Sequence, residues 1–167
     1  MAGFHLRFVG SKELPKSLSD FDVEQSFKLS SGDTAAIRER FRTDRRLGAA
    51  VQLVVLRATG RVFDRATYLP RTLLKSLCHS LGLSETAIGS LKTIYKRVAT
   101  LYDHQKWARE TAGTSDVDDA AMAELTITLA ELTKTAASVD DLVQAAERWL
   151  FDRRYLLPSD RVLRDLA

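Results

Sequence analysis

Apolar side chains recur along almost the whole chain at three- and four-residue steps, the spacing that lines one face of an α-helix. Leu47 to Leu56 is apolar apart from Gly48 and Gln52, so a helix there is enclosed on most sides, and Gly48 admits a close neighbour. Ser30 or Ser31 caps the preceding helix, with Asp33 in its first turn and Ile37 and Phe41 on one face. Thr43 or Asp44 starts the apolar helix, and Gly60 suits the left-handed position past its end. Pro70 opens a helix running through Cys78 to Leu81, ended by Gly82. Leu91, Ile94, Tyr95, Val98, Leu101 and Tyr102 predict one long, continuous helix reaching Ala112, before Gly113.

Further along, Met122, Leu125, Leu129 and Leu132 mark another helix. Ser138 with Asp141 begins one carrying Leu142, Val143, Ala146 and Leu150, and Pro158 begins a last short one. A short helix falls near Phe21 to Phe27, after poorly patterned residues broken by Pro15. The run 125–132 alternates as a strand would, yet no neighbouring segment could pair with it. The expectation is an all-α, multi-helix bundle containing helix-turn-helix-like units. It is organised as an irregular lead-in (1–20), a basic helical lobe (21–113) and an acidic helical lobe (114–167) packed on the first, or as a single domain.

Composition narrows the class. With 167 residues, 45% of them hydrophobic and 28% charged, the chain can bury a real core and reads as soluble and globular. No apolar run approaches the roughly 20 residues that cross a bilayer, and the first residues lack a signal-peptide pattern, so no membrane partner and a cytoplasmic location are expected. Cys78 has no second cysteine to pair with and reads as a buried small hydrophobe. One Cys with the dispersed His5, His79 and His104 makes no zinc pattern, so no metal and no cofactor are expected.

The net charge of +3 conceals an asymmetry. Residues 1–100 hold 17 Lys or Arg against 9 Asp or Glu, a net +8, whereas residues 101–167 hold 8 against 13, a net −5. A polyanion facing the first part accounts for this, and so does simple solvation of charged faces.

Three groups of residues could carry chemistry. Arg38, Arg40, Arg42, Arg45 and Arg46 run directly into the apolar helix, so they are mounted on a core element as a phosphate-gripping row requires. Arg38, Arg42 and Arg45 would share a face if the helix ran unbroken. Arg45 and Arg46 in the first turn of a second helix oppose its dipole, which a bound phosphate would compensate. Cys78, Gly82 and Ile88 have the small-Gly-apolar spacing of a helix-turn-helix, which would expose Ser84, Glu85, Thr86, Ser90 and Lys92, although ordinary helical hairpins share that spacing. Lys92, Lys96 and Arg97 line the outer side of the following helix, where they could track a phosphate strand or serve as a solubilising face. Trp107 and Trp149 read as packing between helices.

The motifs "F-x-L-S … I-R-x-R-x-R … R-L-G-x-A-V-Q-L-x-x-L-R-x-x-G-R", "LPRTLLKSLCHSLGLSETAIGSL", "YDHQKWARETAG" and "RWLFDRRYLLPSDRVLRDL" occur in this order from about Phe21 to the end. Together they resemble the N-terminal domain of the large transposases of the Tn-three family, the replicative transposons with long terminal inverted repeats. The resemblance implies a DNA-binding module that helps a transposase recognise the terminal inverted repeat during transposition. It implies double-stranded DNA and other transposase domains or subunits as partners, and a nucleoid-associated place in the cytoplasm. His104 and Gln105 enter the expected site through the family's His-containing helix.

The expected DNA-binding set is therefore Arg38, Arg42, Arg45, Arg46, Arg57, Arg61, Ser84, Thr86, Lys92, Lys96, Arg97, His104 and Gln105. No catalytic residue is expected, since the chain lacks a Gly-rich phosphate loop, and Asp116, Asp118 and Asp119 read as a helix start. In the family the catalytic Asp-Asp-Glu core lies beyond the matched region. The alternative is a protein-interaction or dimerisation module using the acidic C-terminal helices. The chain ends within a helical pattern at Ala167 without a stop signal, which suggests continuation in a longer parent.

Overall fold

The computed structural model describes residues 6–64 and 68–167; His5 lies outside them. The described residues contain nine α-helices and no strand, so the fold is all-α. The chain divides into two compact units, Met1–Ala112 and Gly113–Ala167.

The first unit holds α1 (Asp20–Ser26), α2 (Ser31–Arg40), α3 (Thr43–Thr59), α4 (Arg71–Leu81), α5 (Thr86–Ile94) and α6 (Val98–Ala112). Local signals start and stop these helices. Ser19 with Asp22, and Ser30 with Asp33, close reciprocal capping boxes on α1 and α2. Gly60 and Gly82 end α3 and α4 with φ of 76° and 67°, the left-handed region that penalises a Cβ. Beyond Gly82 the Leu83 amide returns 2.8 Å to the Cys78 carbonyl, which turns the chain sharply into α5.

Every residue of α3 from Leu47 to Leu56 is buried, and α1, α2, α4, α5 and α6 all pack against this helix. Gln52, on a helix with no water to reach, clamps the Phe63 backbone: its Nε2 donates to the carbonyl at 2.8 Å and its Oε1 accepts from the amide at 3.0 Å. The described part of the lead-in has no α-helix but packs firmly. Phe8, Leu14 and Leu18 are buried, and the Gly10 amide bonds the Thr59 carbonyl at 2.9 Å.

The long helix expected from Leu91 to Ala112 is broken. At Tyr95–Arg97 the hydrogen bonds shorten to i→i−3 steps, with Lys96 N–H to the Thr93 carbonyl at 3.2 Å and Arg97 N–H to that of Ile94 at 3.4 Å, before α6 begins. Val98 and Tyr102 are consequently exposed, and α6 turns Thr100, Leu101, His104 and Ala108 inward instead. The break lets Tyr95 reach into α3, as described below.

In the second unit α7 (Asp119–Leu132), α8 (Val139–Asp152) and α9 (Asp160–Leu166) enclose a core that includes Leu125, Leu129, Val143, Ala146, Leu150 and Leu163. Residues 125–132 are helical, with Thr126 and Thr128 turning their hydroxyls back to carbonyls four residues earlier. Leu132, expected on the apolar stripe, is exposed. Ser115 pairs with the chain after α8, accepting from the Leu156 amide at 2.8 Å. Arg153 lies over the Trp149 ring at 4.0 Å, so this tryptophan packs within the unit. No helix among the described residues is long and apolar enough to cross a membrane.

Candidate nucleic-acid interface

The arginine row divides by what each side chain touches. Arg57, on α3, grips the buried Asp33 of α2 with two bonds of 2.6 and 3.0 Å. Burial raises the Asp33 pKa, but the Arg57 and Ser30 bonds outweigh it and hold the carboxyl below its ordinary range. Arg46 closes the end of α2: its Nε donates to the Phe41 carbonyl at 3.1 Å and an Nη to that of Arg38 at 3.2 Å. Arg40 meets Asp103 of α6 at 3.2 Å and lies over the Phe41 ring. Arg61 donates to the Gly10 carbonyl at 3.1 Å. These four are partly or wholly committed to the protein.

Arg38, Arg42 and Arg45 are placed differently. No carboxylate among the described residues pairs with any of them. Arg38 is exposed near the end of α2, its guanidinium lying beside Gly82 at the end of α4. Arg42 occupies the N-cap of α3 and makes no side-chain cap, so it is exposed at that helix's positive end. Arg45 follows in the first turn, half-buried. The chain bends at Phe41–Arg42, so these three do not lie on one continuous helix face as an unbroken helix would have put them.

The second cationic group is carried by α5 and the turn after it. Lys92, Lys96 and Arg97 are exposed and have no carboxylate partner among the described residues. Tyr95 positions them. Its hydroxyl lies 3.0 Å from the Gly48 carbonyl and 3.0 Å from His104 Nδ1, pinning the α5–α6 turn to the second turn of α3. This bond fixes the turn that carries Lys96 and Arg97 against α3, the helix on which Arg45 stands one turn before Gly48. Ser84 and Thr86 are exposed at the start of α5, where the Thr86 hydroxyl donates to that of Ser84 at 3.2 Å. Cys78 and Leu91 are buried in the α4–α5 hairpin, whereas Ile88 is only half-buried.

His104 and Gln105 face inward. His104 is 0% exposed, ringed edge-on by Phe41 and Tyr95, and has no surface to offer a duplex. Burial pushes its pKa down to about 4; Asp103 opposes this and Arg45 and Arg40 add to it. Its Nε2 has no hydrogen-bond partner among the described residues. Gln105 donates to the Phe63 carbonyl at 3.1 Å and so reinforces the Gln52 clamp. Tyr95, which pins the α5–α6 turn to α3, was legible in the sequence only as one more apolar-stripe residue.

Among the described residues no three His, Cys, Asp or Glu side chains gather as a metal site would. Residues 11–167 match the family described as Domain of unknown function (DUF4158). The transposase for insertion sequence element IS1071 in transposon Tn5271, from Comamonas testosteroni, is 29% identical over 99% of this chain. The transposase for transposon Tn1546, from Enterococcus faecium, is 34% identical over 50% of it. The chain spans only 17% of the first relative's length, and the second match covers 8% of that protein. The relatives it matches are transposases, as the order of its motifs anticipated, and the chain belongs to the DUF4158 family.

Proposed function

We propose that this domain grips the terminal inverted repeat of its transposon as double-stranded DNA, with Arg38, Arg42 and Arg45 on one side of the contact and Lys92, Lys96 and Arg97 on the other. The observation that carries this is the division of the cations. Arg40 and Arg57 are paired with carboxylates of the same molecule, while these six have none among the described residues, yet are tied to helices that pack on the buried α3. Cations held without counter-ions on a stiff support keep their full attraction for phosphate and release DNA counterions on binding. Ser84 and Thr86, at the exposed start of α5, supply hydroxyls for the same contact. Arg46, Arg57, His104 and Gln105 support the surface from within, and Arg61 does so through Gly10. Cleavage and joining of DNA belong to other segments of the transposase, and the cytoplasmic nucleoid is where the domain works.

Anisotropy with labelled duplexes tests this reading. Duplexes carrying the terminal inverted repeat should bind far more tightly than scrambled ones, with affinity falling steeply as salt rises. Equal and weak binding of both at moderate salt overturns it.

A second reading has its own observation. Ile127 on α7 is 68% exposed and Val139 on α8 is 49% exposed, apolar surface that suits a protein contact. Self-association of the chain without DNA binding, seen by light scattering, would favour that reading.

A further inference from the structure

Gly89 stands in the middle of α5, and nothing among the described residues requires a glycine there. Apart from its chain neighbours and its own helix backbone, a Cβ built on it meets no atom of the described residues within 4 Å, and its backbone is not left-handed. Gly48 makes an instructive contrast, since a Cβ there would lie 2.9 Å from the Tyr95 hydroxyl and 3.0 Å from His104 Nδ1. Glycine is among the poorest helix formers, so an exposed one in a helix interior weakens the helix with no internal return.

The surroundings of Gly89 identify what could use the space. Helix α5 is cleanly two-sided. Leu91 and Tyr95 are buried and Ala87, Ile88 and Ile94 half-buried, while Thr86, Gly89, Ser90, Lys92 and Thr93 are exposed, followed by Lys96 and Arg97. The outer face is thus low in profile, rich in hydroxyls and flanked by cations. Its one carboxylate, Glu85 at the N-cap, faces Arg71 at 3.8 Å and Lys75 at 3.6 Å from α4. A surface of this charge suits a phosphodiester chain, and the missing side chain lets that chain approach the helix backbone.

We infer that Gly89 is the point of closest approach between α5 and duplex DNA. Its lack of a side chain seats the sugar-phosphate backbone against the helix, so that Lys92, Lys96 and Arg97 reach phosphates and the hydroxyls of Thr86, Ser90 and Thr93 bond along it. This rests on the DNA-binding reading above and assigns to that site a residue whose role is to be absent in bulk.

The test separates stability from binding. In the full chain Gly89→Ala should raise the melting temperature by about 2–4 °C, the gain of an exposed helical alanine over glycine. The same variant should bind the labelled inverted-repeat duplex about tenfold more weakly, the loss of one good contact, and Gly89→Gln should weaken it further. Wild-type affinity in both variants overturns the inference while leaving the DNA-binding reading intact. A wild-type chain that binds neither inverted-repeat nor scrambled duplex overturns both. A melting temperature that falls in Gly89→Ala shows the Cβ to be opposed from within and also overturns it. So does an effect confined to self-association in light scattering, which would make the occupant a protein.

Discussion

Arg57 holds Asp33 through both ends of its guanidinium across 24 residues of sequence, tying α3 to the first turn of α2. The Asp33 side chain is 9% exposed and that of Arg57 38%, so the pair is shielded mainly on the Asp33 side. Arg57→Ala should cost about 2 kcal/mol, less than a fully buried pair because water reaches the guanidinium. Urea denaturation reads this loss, and a cycle with Asp33→Asn should show the two changes to be strongly coupled. Duplex affinity measured while the variant is still folded should change little.

The cations without carboxylate partners should behave in the opposite way. Replacing Arg38, Arg42 and Arg45 singly with alanine should shift stability by no more than about 0.5 kcal/mol. Each should also reduce the slope of log affinity against log salt by about 0.9, one phosphate contact apiece. Arg46→Ala is the control, since it removes two bonds to the end of α2. It should lower stability by about 1 kcal/mol and leave the salt slope unaltered.

Gly48 should tolerate no side chain. With Tyr95 and His104 atoms at 2.9 to 3.1 Å from the position of a Cβ, Gly48→Ala must push α5 and α6 away from α3. A loss of about 1–3 kcal/mol in urea unfolding is expected, the usual cost of overpacking a core. Because the same shift displaces Lys96 and Arg97, DNA affinity should fall as well.

Acid should destabilise the domain in two stages of the same sign, since in each the unfolded chain binds a proton that the fold refuses. His104 is held neutral in the fold with a pKa of about 4, below its unfolded value near 6.5. The unfolded chain therefore takes up a proton that the fold refuses, and stability declines as pH falls from about 6.5 to about 4, by up to about 3 kcal/mol. Asp33, its pKa lowered in the fold, keeps its contribution until the pH drops below the ordinary carboxyl value of 3.8. Urea midpoints between about pH 4 and about pH 7 should slope in wild type and flatten in His104→Phe.

How much of this could be read in advance depended on range. Helix ends followed from residues within four positions of one another, as in the Ser30–Asp33 box and the left-handed Gly60 and Gly82. The break after Ile94 carries no glycine or proline, and it coincides with a tyrosine bonding to a carbonyl 47 residues away. Arg40 looked like its neighbours, and only the fold revealed Asp103, 63 residues on, as its partner.

The amino-acid order by itself determined the helical class, the enclosed third helix and the family, because periodicity, capping and motif order are local properties of a chain. Folding alone decided which arginines are spent on carboxylates or carbonyls, why His104 lies inside, and how the turn carrying Lys96 and Arg97 is fixed to α3. Charge and hydrogen bonding act through space, so a cation's availability depends on partners that no window of sequence contains.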